Sequence, residues 1–125
     1  MSTFSGSSDQ ATPLSVVTRW SDRVLLMEVG GEVELLNAPR VESAIMNAFD
    51  LRPEILILDF SGVTFLSSAG LAVLVRAHNR AGTDIGFRVV VDGPATVRPI
   101  QLTGLDQEIE CFSSQEQALA AVAGS

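Results

Sequence analysis

The sequence predicts a single α/β domain in which a mixed β-sheet of about five strands has helices packed against it. Its 125 residues are enough for one hydrophobic core. Segments with strand character alternate with segments of helical periodicity from residue 14 onward, which is typical of a sheet with parallel pairs. Residues 54–60, "EILILDF", show no alternation of apolar and polar residues, as expected for a strand covered on both faces.

The chain is expected to begin with a flexible tail over residues 1–13 and to fold over residues 14–125. The tail is rich in Ser, Thr and Gly, and it lacks the basic-then-apolar order of a secretory signal. Residues 14–20 and 23–31 then have the composition of two strands. The turn Ser21-Asp22 between them predicts a hairpin.

Two helices are predicted before and after the central strand. The first covers residues 36–50, with Asn37 as N-cap, Pro39 in the first turn, and one apolar stripe. The second covers residues 68–82, with Gly82 as its stop signal. The apolar stripe of the first comprises Val41, Ala44, Ile45, Ala48 and Phe49, and the apolar side of the second comprises Leu71, Leu74, Val75 and His78.

The rest of the chain predicts two more strands and two more helices. Residues 87–93 and 108–112 have strand composition. The helix predicted between them begins at Pro94 and ends at Gly104. Pro99 lies inside it, where a proline can kink or shorten a helix. The last helix starts with the capping-box spacing of Ser114 and Gln117. The order is therefore β-β-α-β-α-β-α-β-α.

Charge and composition narrow the possible partners. The net charge is −7, with eight arginines scattered along the chain and no lysine, which disfavours nucleic acid. No apolar run approaches the roughly 20 residues of a membrane span, so no membrane partner is expected.

The single cysteine, Cys111, cannot form an internal disulfide and fits a reducing cytoplasm. Its position in a strand favours a small buried side chain.

The most unusual stretch is "VTFLSSAGLAVLV", residues 63–75, where two serines and a glycine separate apolar segments. Either Ser67 or Ser68 can cap the following helix, a contribution of about 1 kcal/mol. Only one serine is needed for that purpose. The other hydroxyl lies at a helix N-terminus, where the free N–H groups and the helix dipole tolerate an added phosphate.

This sequence lacks residues that the known kinds of catalytic or phosphate-binding site would require around this stretch. A hydrolase needs Gly-x-Ser-x-Gly and a nearby histidine, but His78 is the only histidine and is expected at the boundary of an apolar face. A phosphate-binding loop needs a lysine. A receiver domain would use Asp59, but the acidic pair and the lysine are missing, so Asp59 is expected to bond local backbone. We therefore expect no enzyme activity, no metal and no cofactor.

Four segments resemble, in the right order, the STAS-domain anti-sigma-factor antagonists of bacteria, also called anti-anti-sigma factors. They are "GGEVELLNAPR", "ILILDFSGVTFLSSAGLAVLV", "GPATVRPIQLTGLD" and "SSQEQALAAV". Together the likeness covers nearly all of residues 14–122. The resemblance implies a single STAS-like domain.

This resemblance also implies a partner switch that regulates transcription. The free antagonist binds an anti-sigma factor, itself a serine kinase of the histidine-kinase-like ATPase fold, and the sigma factor is released. The kinase uses ATP to phosphorylate the antagonist, which ends the complex, and a serine phosphatase resets it. Alignment through Gly70 and Leu71 makes Ser68 the acceptor. The family usually has aspartate at the preceding position, so Ser67 is a competing acceptor.

We expect the partner surface to combine two loops that lie where strands end and helices begin, in a chain that is monomeric when free. The residues are Glu34, Leu35 and Asn37 from one loop, and Leu66, Ser67, Ala69, Gly70 and Leu71 around the acceptor. Two other roles stay open at this point. STAS domains also serve as subunits of lipid-import ABC transporters, docking on the ATPase, and as sensors of small molecules or nucleotides.

Overall fold

A computed structural model describes residues 13–123, and its elements follow the predicted order. Of the predicted tail, only Pro13 lies within the described residues, so the tail stays a prediction. A single 3-10 turn, Leu105–Gln107, precedes the last strand. The elements are β1 (Ser15–Ser21), β2 (Val24–Val33), α1 (Ala38–Asp50), β3 (Ile55–Leu66), α2 (Ser68–Ala81), β4 (Gly86–Val90), α3 (Pro94–Thr103), β5 (Glu110–Phe112) and α4 (Gln115–Ala123).

The strands form one five-stranded mixed sheet, as the sequence predicts, and they lie in the order β1-β2-β3-β4-β5. β1 is antiparallel to β2, and each of the other neighbouring pairs is parallel. The hairpin turn falls on Asp22 and Arg23, one residue later than predicted, and Asp22 adopts a left-handed φ of 55°. Because β2, β3 and β4 are parallel, their carboxyl ends and the loops that follow lie at one edge of the sheet.

Helices cover both faces of the sheet, which explains why β3 is apolar on both sides. On one face, Leu56, Leu58 and Phe60 of β3 belong to the main core, together with buried residues of α1, α2 and α3. On the other face, Ile57 belongs to a smaller cluster that includes Ala118 of α4. The sheet is thus the middle layer of three.

The predicted stripe of α1 is confirmed, whereas the predicted face of α2 is only partly right. Four residues of the α1 stripe are buried, and Ala44 is half-buried against the same core. In α2 the predicted Leu74 is buried and Leu71 is half-buried against the same core, but Val75 is exposed and His78 is only half-buried. Most of this helix's first turns are apolar on every side, so periodicity could not select the face. The buried residues of α2 are Gly70, Val73, Leu74, Ala77 and Ala81.

β3 continues six residues beyond the predicted strand, through Leu66. Its pairing with β2 shifts register twice, once between Glu28 and Gly30 and once between Gly31 and Glu32. β-Bulges of this kind bend a strand while preserving its pairing. As a result, Leu66 is still in the sheet, opposite Val33, immediately before the serine loop.

Pro99 lies inside α3 without ending it. The helix runs from Pro94 to Thr103, and Gly104 closes it in a left-handed conformation with φ of 75°, as predicted. The Thr103 hydroxyl donates to the Pro99 carbonyl at 2.8 Å. In α4 the Ser114 hydroxyl accepts from the Gln117 N–H at 3.1 Å, as the capping-box spacing predicts.

Gly70 lets the start of α2 lie against the ends of β2 and β3. A Cβ atom at this position would lie 2.5 Å from Leu66 Cδ1 and 2.9 Å from Val33 Cγ1. Both neighbours are buried, so neither can move away without disturbing the core. Glycine is therefore required here by close approach.

We expect Gly70→Ala to destabilise the domain. Alanine gains up to about 1 kcal/mol in helix propensity, but overpacking against Leu66 and Val33 costs about 1–3 kcal/mol. The net expected loss is about 1 kcal/mol in the free energy of unfolding, and Gly70→Val should lose more. Urea denaturation measures both. Unchanged or increased stability of the valine variant would show that the contact is loose.

Candidate functional site

The two loops that carry the predicted site residues are neighbours at the carboxyl edge of the sheet. The Ser67 N–H donates to the Val33 carbonyl at 2.9 Å, which ties the end of β2 to the start of α2. Gly70 packs between the side chains of Val33 and Leu66. We call residues 34–37 and 66–71 the loop surface. The structure brings all the predicted site residues into it, although Leu66 and Gly70 are buried and act as its support.

The two serines of the loop surface have different environments. Ser67 is the N-cap of α2, with extended backbone, and its Oγ accepts a hydrogen bond from the Gly70 N–H at 3.3 Å. Its carbonyl accepts from the Leu71 N–H at 3.0 Å. Ser68 is the first helical residue and is exposed. Within residues 13–123, no hydrogen bond involves the Ser68 hydroxyl, so the free hydroxyl belongs to Ser68.

The adjoining loop is braced by reciprocal hydrogen bonds between Asn37 and Glu34. Asn37 Oδ1 accepts from the Glu34 N–H at 2.9 Å, and Glu34 Oε1 accepts from the Asn37 N–H at 2.9 Å. Glu34 Oε1 also accepts from the Leu36 N–H, and Asn37 Nδ2 donates to the Glu32 carbonyl at 2.8 Å. These bonds satisfy backbone groups of an irregular segment and fix its shape.

The predicted side-chain cap by Asn37 is wrong. Asn37 occupies the N-cap position of α1, but its side chain makes no hydrogen bond to the helix. Its backbone has φ of −105° and ψ of −8°, whereas a capping residue usually has extended geometry. The side chain instead turns back into the loop. The Asn37 side chain therefore shapes the loop before α1 and does not cap the start of that helix.

Two consecutive leucines project from the braced loop into solvent. Leu35 is 74% exposed and Leu36 is 85% exposed. Leu36 was not among the predicted site residues, nor was Phe65, which is 51% exposed at the end of β3. The sequence did contain a signal for Leu36: two adjacent leucines between a strand and a helix, outside the apolar stripe of α1.

A bidentate ion pair joins the two helices that follow these loops. Arg76 Nε donates to Glu42 Oε2 at 2.7 Å, and Arg76 Nη2 donates to Glu42 Oε1 at 2.8 Å. The hydrogen bonds from Arg76 lower the pKa of Glu42 below its usual value. The pair links α1 to α2 across their exposed side.

The residues considered for catalysis have structural surroundings instead. Asp59 is buried, and its Oδ1 accepts from the Ser61 N–H at 2.8 Å, the local backbone bond that the sequence suggested. Its Oδ2 accepts from Gln115 Nε2 at 2.7 Å, which anchors α4 to the sheet. Burial, with a smaller contribution from Asp106, raises the pKa of Cys111 to about 11. That thiol is therefore protonated at neutral pH and weakly reactive.

The part of the chain that the structure describes contains neither a candidate metal-binding cluster nor a candidate membrane-spanning helix. Across residues 13–123, no three His, Cys, Asp or Glu side chains gather in a way that could hold a metal ion. None of the described helices combines the length and the apolar character needed to cross a bilayer.

Comparisons with known proteins match this architecture. The STAS domain family model matches residues 15–118. The anti-sigma-F factor antagonist RsfB of Mycobacterium tuberculosis is 36% identical over 116 residues, which span 91% of this chain and 95% of RsfB.

Solved structures agree. An anti-sigma factor antagonist from Mycobacterium paratuberculosis superposes with a TM-score of 0.86 at 38% identity, covering 89% of this chain and 95% of that one. The Bacillus cell fate determinant SpoIIAA in its phosphorylated form has a TM-score of 0.63 at 16% identity, covering 88% and 99%, and shows the fold alone. The chain belongs to the STAS-domain family of anti-sigma-factor antagonists.

Proposed function

We propose that this chain is a cytoplasmic anti-sigma factor antagonist whose loop surface binds an anti-sigma factor and whose binding is ended by phosphorylation of Ser68. The observation that supports this most is the exposed Ser68 hydroxyl at the start of α2, beside the Glu34 loop, which makes no hydrogen bond within residues 13–123. The partner is a serine kinase of the histidine-kinase-like ATPase fold, and a serine phosphatase restores the active form. The chain itself acts by binding and not by catalysis.

The local hydrogen bonds favour Ser68 over Ser67 as the acceptor. Ser67 Oγ already accepts from the Gly70 N–H, and modifying it would sacrifice a cap contribution of about 1 kcal/mol. Ser68 has no such bond within the described residues, and it is exposed to an approaching kinase. Phosphorylating Ser68 therefore leaves the start of α2 intact.

Electrostatics explain how one phosphate could end binding without unfolding the domain. A phosphoserine adds about −1.5 to −2 charges at neutral pH. At the N-terminus of α2 it meets the positive end of the helix dipole, worth about 0.3–1 kcal/mol in favour of folding. In a closed interface the same dianion, desolvated and unpaired, costs several kcal/mol. The phosphate thus opposes association far more than folding.

The relatives support this role. RsfB is named an anti-sigma-F factor antagonist, and it is similar to this chain over almost its whole length. The Bacillus SpoIIAA structure is of a phosphorylated form, which shows that a domain of this fold accepts a phosphate.

Phosphorylation of Ser68 is expected to weaken anti-sigma factor binding by at least about a hundredfold. Desolvating the unpaired phosphate costs several kcal/mol, and each 1.4 kcal/mol changes the Kd tenfold. Its effect on the free energy of unfolding should stay within about 1 kcal/mol. The experiment mixes the chain with each purified anti-sigma factor of the source organism and ATP. Mass spectrometry locates the phosphate, and calorimetry measures the Kd.

Variants of the two serines provide the controls. Ser68→Ala should bind the partner and resist phosphorylation, and Ser68→Asp should reproduce part of the loss. Ser67→Ala should still be phosphorylated. Phosphate found on Ser67 alone would refute the assignment of Ser68. If no anti-sigma factor binds or phosphorylates the chain, the transporter-subunit role becomes the better explanation.

Removing the Asn37 side chain should weaken partner binding as well as stability. Asn37→Ala loses the bonds to Glu34 and Glu32, which costs about 1–2 kcal/mol in the free energy of unfolding. A loosened loop must be ordered again on binding, so we expect the Kd to rise at least about threefold. Asn47→Ala, at an exposed asparagine inside α1, is the matched control: it should leave the Kd unchanged and raise the free energy of unfolding by about 0.5 kcal/mol through the higher helix propensity of alanine. Equal Kd values for the two variants would place the Glu34 loop outside the interface.

A further inference from the structure

An apolar groove lies beside the loop surface, between the end of β3 and helix α3. It has a volume of about 350 Å³. A cavity of about 150 Å³ is enough for one benzene molecule, so the groove can receive a large side chain. Its apolar lining includes Phe65, Leu66, Pro94, Pro99 and Leu102.

The exposure of the groove walls has no structural explanation within the domain. Leu102 is 79% exposed and Phe65 is 51% exposed, although each belongs to a regular element with a buried side available. Two neighbouring apolar side chains that are exposed at a groove offer a contact that a partner can cover. Leu66 both lines the groove and directly precedes Ser67, so the groove is continuous with the loop surface.

Arg98 gives the groove a charge opposite to that of the chain. Among the described residues that line the groove, Arg98 is the one charged side chain, and it is exposed. Among the ion pairs formed within residues 13–123, none involves Arg98, whereas five of the other seven arginines are paired. In a chain of net charge −7, this unpaired cation beside apolar walls favours an occupant that carries a carboxylate.

We propose that this groove is a second docking site for the anti-sigma factor, which inserts one large apolar side chain and pairs an adjacent carboxylate with Arg98. The inference rests on the proposed function and extends its interface from the loops onto α3. The loop surface provides the contact that a phosphate disrupts. The groove provides affinity and partner selection through contacts that do not include Ser68.

Charge-introducing variants of exposed residues test the groove without disturbing the core. Leu102→Glu should raise the Kd for the purified anti-sigma factor at least about tenfold, as expected for a central apolar contact. Arg98→Glu should raise it about tenfold, and the binding should become less sensitive to salt. A carboxylate-to-arginine change in the partner segment should restore binding to Arg98→Glu.

The chain offers a matched control for each variant. Leu51 is an exposed leucine at the far end of α1, about 20 Å along that helix from the loop surface. Arg52 follows it, is exposed, and has no ion pair within the described residues. Leu51→Glu and Arg52→Glu should each change the Kd by less than about twofold. Melting temperatures of all four variants verify that they are folded.

The outcomes separate this inference from the proposed function. If the wild-type chain binds its anti-sigma factor and Ser68→Asp weakens that binding, but Leu102→Glu and Arg98→Glu bind normally, the groove inference is wrong and the proposed function stands. If the wild-type chain binds no anti-sigma factor, both fail. If sedimentation shows a dimer of the free chain that Leu102→Glu dissociates while the partner Kd is unchanged, the groove is a self-association site and the inference is overturned.

Discussion

The parallel pairing of β2 with β3 is the constraint on which the rest of the site depends. Parallel neighbours end at the same edge of the sheet, so the loops that follow them are necessarily close. The hydrogen bond from the Ser67 N–H to the Val33 carbonyl fixes this proximity at 2.9 Å. Gly70 then allows α2 to start directly against both strand ends. Without that close approach, the free serine and the braced loop would not form one surface.

Two adjacent hydroxyls, those of Ser67 and Ser68, have different surroundings at the start of α2. Ser67 satisfies a helix N–H, and Ser68 is left exposed one residue further on. In our proposal this division lets a phosphate be added and removed while the helix start is preserved. The bracing of Glu34 and Asn37 serves the same end, because a loop whose backbone groups are already satisfied loses little entropy when a partner covers it.

In our proposal, buried apolar side chains stabilise the fold, and exposed ones near the serine loop bind the partner. The core residues of the sheet and of α1 and α2 are almost completely buried, whereas Leu35, Leu36, Phe65 and Leu102 are more than half exposed. These four lie on the loop surface or in the adjoining groove. Leaving them in water contributes nothing to folding, and covering them on association would contribute to affinity. These four side chains are therefore ones that the core does not use, whereas Leu66 and Gly70 support the loop surface from within the fold.

The sequence alone determined the order of the elements, the mixed sheet and the position of the serine loop. The signals for these features, residues that begin or end helices and the spacing of apolar residues, are local in the chain. Gly82 and Gly104 mark helix ends, and the stripe of α1 has a single possible face.

Contacts between distant residues decided the rest. The buried face of α2 depends on how closely Gly70 approaches Leu66 and Val33, since the start of that helix is apolar on every side. The continuation of β3 through Leu66 depends on bulged pairing with β2, which no pattern within β3 encodes. Which serine is the cap, and where the Asn37 side chain turns, are decided by hydrogen-bond geometry that exists only once the two loops have been brought together.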